Sequence, residues 1–401
     1  MKTRIPIGEL RPGMHVAGLD IPWELSPFLR HEMTIEDEHQ IDKLRECGVR
    51  HVDILTDDGD RGEPDDGPDL PPEAPVSDTE GPDPVPYEVE LVRAKAVYAK
   101  AKAILKDSME EVRMGRTINT GAVTEVANEM VESLFRNRDA LAGLSRLKSF
   151  DEYTFFHSVN VGILATALGR QQGYPKEDLI RLGAGALLHD IGKVTIPLSI
   201  LNKPGRFTQN EYEIMKQHPE AGAEILRKTP GIAEESILPA LEHQERGDGT
   251  GYPYKKKLPE MSRFGLITQI ADVYDAMTTD RVYHKAKTPY DILRYLYQLG
   301  ESGQLDHITV QNFIQCTSIY PIGSLVELDS GERGIVLSVN HYKLLAPRVM
   351  IVMNKDRNRI PPPCPVVDLS DPSVDPPRSI RAVLDPSAFG INPAMYLEGL
   401  V

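Results

Sequence analysis

Four of the eleven histidines fall in one stretch of the chain, each within reach of acidic neighbours. His157 lies in FFHSVNVG, His189 is followed directly by Asp190 in LLHDIGK, His218 lies in KQHPEAG and His243 in EHQER; Asp272 follows in QIADVYDAM. Asp190 and Asp272 sit in apolar helical surroundings, where a carboxylate keeps its charge only beside a cation or dense hydrogen bonds. Several histidines converging on two such acids would form a metal site. The adjacency of His189 and Asp190 suits one: the imidazole binds one ion, and the two carboxylate oxygens bridge it to a second about 3.5–4 Å away. Such a pair lowers the pKa of bound water toward neutrality, and its net positive charge favours a phosphodiester. Lys193, one turn beyond, adds a cation for charge developing on phosphorus or on the leaving oxygen. A lone histidine on a helix is most often a hydrogen-bonded core or surface residue, and His15, His31, His39, His51, His307 and His341 are read that way.

The elements that must position these groups are mostly helical. From Val89 the composition turns to Ala, Lys and Glu, and VELVRAKAVYAKAKAILKDSMEEV reads as a long helix on propensity. TEVANEMVESLFRNRDAL follows with a stripe of Val126, Met130, Val131 and Leu134. Helical patterns continue to about residue 317, with a capping box at Thr208 and Glu211 and a start signal at Thr288 ahead of Pro289. The helix carrying Asp272 should turn Ile267, Ile270 and Ala271 to the core, which points Asp272 inward. Upstream, IEDEHQIDKLRECGV places Ile41, Leu44 and Val49 at roughly helical spacing within a small α+β module, residues 1–56. Downstream, GSLVELDSGERGIVLSVN alternates about an Asp-Ser-Gly turn as a β-hairpin does, and PPPCPVVDLSDPSVDPP supplies loops or edge segments. The expected fold is mainly α: a helical bundle preceded by that module and followed by a β-rich tail over 318–401.

Within the 401 residues, the net charge of −15 is unevenly placed, because residues 57–84 hold eleven acids against the single Arg61. With seven prolines as well, that segment cannot bury enough apolar surface to offset its chain entropy, and 57–88 is read as a linker. No basic run marks a nucleic-acid polymer as partner. Cys47, Cys316 and Cys364 lie far apart with no paired spacing, as ordinary thiols of a reducing compartment do. The opening MKTRIPIGELRPGMHV lacks the apolar stretch of a signal peptide, and no run reaches the length that spans a bilayer. The expectation is a soluble, cytoplasmic protein without membrane insertion.

HDIGKVTIPLSILNKPGRFTQNEYEIMKQHPEAG, then HQERGDGTGYP, then ADVYDAMTTDRVY, resemble the HD-GYP domain, a bacterial subgroup of HD-type metal phosphohydrolases that hydrolyse cyclic di-GMP. The resemblance covers about 148–300, so the domain is placed at 148–317, with 89–147 as a helical connector that is also a candidate for pairing two chains as a homodimer. IPIGELRPGMHVAGLD resembles, on weaker motifs, a small domain of unclear role that precedes some HD-GYP domains. The resemblance implies that His157, His189, Asp190 and Asp272 hold one metal and that Asp190 bridges to a second held by His218 and His243. It implies catalytic roles for Asp190 and Lys193, with Lys193 near the scissile phosphate and Arg281 on a substrate phosphate. It also implies that Gly251, Tyr252 and Pro253 form the signature loop that lines the site and contacts ligand or partner signalling domains.

Three positions depart from the family pattern. Gln244 stands where a histidine is usual, so an amide replaces one ligand of the second metal and is a weaker ligand for the softer transition metals. Tyr153 stands where a three-metal subset has glutamate, so two ions are expected, with iron or manganese suited to the mixed imidazole and carboxylate ligands and zinc admitted. His284 follows the tyrosine where Lys or Arg is usual, and Lys285 is the substitute cation. The reading favoured is a phosphodiesterase that opens cyclic di-GMP to linear pGpG, with onward cleavage to GMP left open. The alternatives are a cyclic di-GMP sensor slowed by Gln244 and a regulator acting through partner binding. Retention of the full ligand set favours the enzyme, because a binder needs no means of activating water.

Overall fold

A computed structural model describes residues 2–20, 33–35, 37–46, 49–55, 83–145, 153–278, 288–340, 343–374 and 376–398. The chain divides into two compact units, 1–75 and 76–401. In the first, β1 (Lys2–Pro6), β2 (His15–Leu19), β3 (Met33–Thr34), α1 (Glu38–Glu46) and β4 (His51–Leu55) follow in sequence. The sheet has the order β1-β4-β2-β3 with every pair antiparallel. Ile41 and Leu44 turn one face of α1 onto Leu10, Val16, Ile35, Val49, Val52 and Ile54, so the helical spacing read in the sequence becomes the core of the unit.

The second unit opens with α2 (Tyr87–Arg113), α3 (Thr120–Arg136) and α4 (Ala140–Leu144). Then come α5 (Tyr153–Gln171), α6 (Lys176–Leu187), a 3-10 turn over Ile191–Thr195, α7 (Leu198–Leu201), α8 (Gln209–Met215), α9 (His218–Arg227) and α10 (Leu238–Glu242). The bundle ends with α11 (Arg263–Thr278), α12 (Pro289–Glu301) and α13 (His307–Thr317). The stretch 89–147, read from sequence as a connector, buries Leu91, Ala94, Ala101, Leu105 and Met109 of α2 in one apolar cluster with Val126 and Met130 of α3 and Val159 and Ile163 of α5. Buried Glu90 ties α2 to α3 by accepting from Ser133 Oγ at 2.8 Å and, in bidentate fashion, from Arg136 Nε at 2.7 Å and Nη2 at 2.8 Å. The start signals act as expected: Thr208 and Glu211 close the capping box of α8, and Thr288 caps α12 with proline in its first turn.

After the bundle, β5 (Leu325–Leu328), β6 (Arg333–Ser338), β7 (Arg348–Met353), β8 (Val366–Asp368) and β9 (Ile380–Leu384) form an antiparallel sheet in the order β8-β7-β6-β5-β9, with α14 (Pro393–Glu398) closing the chain. The hairpin β5–β6 turns at Gly331, whose φ of 83° suits glycine. Its period-two alternation sends Leu325, Ile335 and Met350 to one apolar cluster and Val326, Val336 and Val349 to another, so both faces are covered. The proline-rich segment supplies the short edge strand β8. Among the described residues no helix is long and apolar enough to cross a membrane.

Candidate metal centre

Five segments deliver the predicted side chains to one buried point. His157 lies in α5, which is buried continuously from His157 to Gly169. His189 and Asp190 sit where α6 ends and the 3-10 turn begins, and His218 opens α9. His243 follows the last residue of α10, and Asp272 lies on α11 beside buried Ile267, Ile270 and Ala271. The two segments bearing Asp190 and His218 meet at Gly192, where a Cβ would lie 2.0 Å from the His218 carbonyl oxygen and 2.5 Å from Gly222 N. Only glycine permits that approach.

Each histidine is oriented through Nδ1. His189 donates to the Ala186 carbonyl at 2.8 Å, His218 to that of Met215 at 2.7 Å, and His243 to those of Pro239 and Ala240 at 3.0 and 3.1 Å. A carbonyl only accepts, so Nδ1 carries the hydrogen and the neutral ring keeps its lone pair on Nε2. His157 differs: its Nδ1 lies 2.8 Å from Asp275 Oδ2, so a carboxylate and not a carbonyl turns its Nε2 into the cluster. The four Nε2 atoms then converge on two carboxylates. Asp190 Oδ2 lies 3.5 Å from His189 Nε2 and 3.8 Å from His157 Nε2, while Asp190 Oδ1 lies 3.6 Å from both His218 Nε2 and His243 Nε2. Asp272 Oδ1 stands 3.1 Å from His157 Nε2 and 4.0 Å from His189 Nε2. One carboxylate oxygen thus serves each pair of histidines.

This is a donor set built for cations. His218 Nε2 and His243 Nε2 are 3.1 Å apart with lone pairs facing, a contact that costs energy unless something positive lies between or beside them. His189 Nε2 and Asp190 Oδ1 are buried and make no hydrogen bond, and orphaned polar atoms of this kind are expected where a ligand belongs. His157, His189 and Asp272, and likewise His189, Asp190 and His243, bring ligand atoms within 4.8 Å of one another. Burial, with help from Lys193, pushes His218 down to about 3; burial and then His189 push His243 down to about 4, and burial also lowers His189. Burial works to raise both aspartates, but Lys193 and the histidines hold Asp190 well below the carboxylate range, and His157 holds Asp272 below it. Burial likewise works to lower His157, yet Asp272 and Asp275 push it up to about 9. At neutral pH three imidazoles are therefore unprotonated beside two carboxylates, the state that metal binding needs. Lys193 Nζ donates to Asp190 Oδ2, placing one ammonium at the mouth of the cluster.

Residues 129–307 match the family described as HD domain, and residues 2–123 match a domain of unknown function. The chain is 36% identical over 380 residues to cyclic di-GMP phosphodiesterase PA4108 of Pseudomonas aeruginosa, covering 92% of this chain and 89% of that protein. The chain belongs to the HD-GYP phosphodiesterase family. It is also 33% identical over 225 residues to a cyclic di-GMP phosphodiesterase of Thermotoga maritima, covering 55% of this chain and 60% of that protein. With 3'3'-cGAMP-specific phosphodiesterase 2 of Vibrio cholerae it shares 34% identity over 170 residues, 41% of this chain and 32% of that protein.

The signature loop of this HD-GYP chain runs beside the His218 and His243 pair. Tyr252 N donates to the Gln244 carbonyl at 3.1 Å, and the Tyr252 ring stands edge-on to His218 with centroids 6.3 Å apart. Gly251 packs so close to the backbone of Glu245 and Arg246 that a Cβ would meet Arg246 N at 2.2 Å. Pro253 follows half-buried. The acids flanking His243, which look like solvated charge in the sequence, are buried anchors: Glu245 accepts from Tyr254 N at 2.7 Å and Lys256 N at 3.0 Å. Glu242 accepts from Lys256 Nζ at 2.6 Å and from Ser262 N at 2.8 Å. Gln244 points elsewhere than expected: its Nε2 donates to Asp272 Oδ2 at 3.3 Å, on the His157 side of the cluster. Sequence reasoning missed Asp275 and Asn160, although each lies one helical turn beyond a ligand, in DVYD and HSVN. Arg281, His284 and Lys285 lie outside the described residues, as do residues 57–82, His31, His341 and Cys47 and the side chains of Tyr153 and His39. Among the remaining histidines, His15 contacts Thr34, His51 contacts Asp20 and His307 contacts Glu301.

Proposed function

We propose that this chain is a two-metal phosphodiesterase that hydrolyses cyclic di-GMP to linear pGpG, with iron or manganese as the ions. The observation that carries the reading is Asp190, whose two oxygens face two separate histidine pairs. In this assignment His157, His189, Asp272 and Asp190 Oδ2 hold one ion, and His218, His243 and Asp190 Oδ1 hold the other. Bound there, two divalent ions supply Lewis acidity toward a phosphoryl oxygen and acidify water. Mixed imidazole and carboxylate donors suit iron or manganese. The protein's own part is to fix every Nε2 by its Nδ1 hydrogen bond, to keep His189, His218 and His243 unprotonated by burial, and to offer the Lys193 ammonium to charge gathering on the phosphoryl group or leaving oxygen. Arg281 is assigned to a substrate phosphate, with Lys285 as the substitute cation beside it, and Gly251, Tyr252 and Pro253 to one wall of the site. A substrate of this class supports the reading of a cytoplasmic location. The rival reading of a sensor slowed by Gln244 draws no support from Gln244's contact, which is with Asp272 and not with the His218 and His243 pair.

The test is elemental analysis of anaerobically purified protein, combined with chromatographic assay of cyclic di-GMP and, in parallel, 3'3'-cGAMP. Two metals per chain and pGpG as first product are expected. Less than one metal per chain after reconstitution, or turnover of 3'3'-cGAMP alone, would overturn the assignment.

A further inference from the structure

His157 differs from the other three histidines in what holds it. The others donate Nδ1–H to carbonyls three or four residues back in their own segment, whereas His157 relies on Asp275 of α11 at 2.8 Å. Asp275 is itself held. Its Oδ1 accepts from Asn160 Nδ2 at 2.9 Å, and Asn160 Oδ1 accepts from the Tyr98 hydroxyl at 2.7 Å. Asn160 and Asp275 are buried. Each member has a defined direction: Tyr98 donates to Asn160, Asn160 donates to Asp275, and Asp275 accepts from His157 Nδ1, which turns Nε2 toward Asp272 and Asp190. Rotating the Asn160 amide would face its NH2 toward the Tyr98 hydroxyl and its oxygen toward the Asp275 carboxylate, two acceptors in contact.

Tyr98 belongs to α2, which precedes the matched HD domain and falls within the match to the domain of unknown function. The same helix grips the start of α5 at the residue just before His157: the Tyr98 ring stacks on Phe156 with centroids 6.1 Å apart, and Lys102 Nζ sits 4.8 Å from the centre of that ring. It also packs against the 3-10 turn that bears Lys193. We infer that Tyr98 is a positioning residue for the metal centre, acting through Asn160 and Asp275 on His157, so that α2 and metal binding are thermodynamically linked. The linkage is reciprocal: whatever strains or orders α2 changes metal affinity, and metal binding orders α2 to the same extent. This rests on the metal assignment above.

The experiment uses the full chain, stripped of metal, and Mn2+ titrated against a competing chelator. A partner that directly orients a metal ligand typically controls affinity 10–100-fold, so Asp275→Asn is expected to lose that much and Tyr98→Phe, one group further out, ~3–10-fold. Tyr98→Phe removes only the hydroxyl, so thermal melting of the metal-free protein should stay near native. Lys102→Ala, which removes the contact with Phe156 but no member of the chain, should leave affinity unchanged. Hydrogen exchange should show α2 amides near Tyr98 protected by Mn2+ in the native protein and less so in Tyr98→Phe. If Asp275→Asn weakens Mn2+ but Tyr98→Phe stays within about twofold of native, the inference fails. It fails too if Tyr98→Phe melts the metal-free protein as far as it weakens binding. His157→Ala separates the two levels: full Mn2+ binding in that variant would overturn the metal assignment itself.

Discussion

Gly192→Ala places one methyl group between the two halves of the centre. The new Cβ would start 2.0 Å from the His218 carbonyl oxygen, 2.5 Å from Gly222 N and 2.9 Å from Gly222 Cα, all backbone atoms that cannot swing aside. Cβ atoms do not come closer than 3.0 Å to such neighbours, so the turn bearing Asp190 and the start of α9 must separate by about 1 Å. Asp190 Oδ1 and His218 Nε2, now 3.6 Å apart, would move with them. Overpacking of this kind costs about 1–3 kcal/mol of stability, which lowers the melting temperature but leaves the bundle folded. A misplacement near 1 Å costs about 100-fold in rate, so kcat/KM for cyclic di-GMP should fall by about that factor, and metal content should drop toward one per chain. Gly222→Ala is the graded control, because its Cβ would meet Gly192 N at 3.2 Å and the Ala240 Cβ at 3.6 Å and needs a shift of only a few tenths of an ångström. The assay is metal content by elemental analysis, turnover by chromatography and far-UV circular dichroism for the fold. A Gly192→Ala protein with two metals per chain and turnover within about threefold of native would refute the idea that this approach sets the spacing of the ligands.

Asp190→Ala removes the carboxylate that faces both histidine pairs, so metal content should collapse and hydrolysis drop to background while helicity persists; retention of two ions per chain would refute the bridging role. Gln244→His brings an imidazole beside Asp272 and should tighten binding of one ion about tenfold in a chelator titration, whereas unchanged affinity would show that residue 244 takes no part. Glu90→Gln breaks a charged pair whose arginine side chain is 30% exposed, so it should cost about 1–2 kcal/mol at pH 7 in urea unfolding. Burial works to raise the Glu90 pKa, but Arg136 and Ser133 hold it below the ordinary 4.5, so its stabilisation is full above that value and fades as pH falls through the lowered one. The gap between native and Glu90→Gln should close on the acid side of 4.5, and a gap constant down to unfolding would contradict the pairing.

The ligand cluster was legible because its residue types are costly anywhere else. Aspartates in apolar helices and an adjacent His189 and Asp190 have few uses, and the structure brings all six groups to one buried point. Local signals carried equally well: the capping box at Thr208, the proline start of α12 and the alternation about Gly331 depend on neighbours a few residues away. What sequence hid is tertiary. In α2 the buried positions Leu91, Ala94, Ala101, Leu105 and Met109 keep helical spacing, but two are alanine, and an Ala, Lys and Glu composition marks a long helix on propensity without marking which face is buried. Glu242 and Glu245 look like surface charge because their partners, the backbone of Tyr254, Lys256 and Ser262, are 9 to 20 residues away around a loop. The direction of Gln244 was beyond reach for the same reason, since one position beside His243 sends a side chain toward a different helix.

The way the four histidines are held also orders their dependence on the rest of the fold. His189, His218 and His243 take their tautomer from carbonyls in their own segments, so these rings are set as soon as their turns form. His157 has no such local support in its helix, where the i−4 carbonyl is occupied by the ladder that makes α5, and its Nδ1 must be met from α11. Its orientation is therefore complete only when α5 and α11 have docked and Asn160 has fixed the Asp275 carboxylate. Three of the histidines answer to local geometry and one to tertiary packing. A hydrogen-bonded path runs from that fourth histidine through Asp275 and Asn160 to Tyr98, so α2, outside the matched HD domain, stands at the end of it.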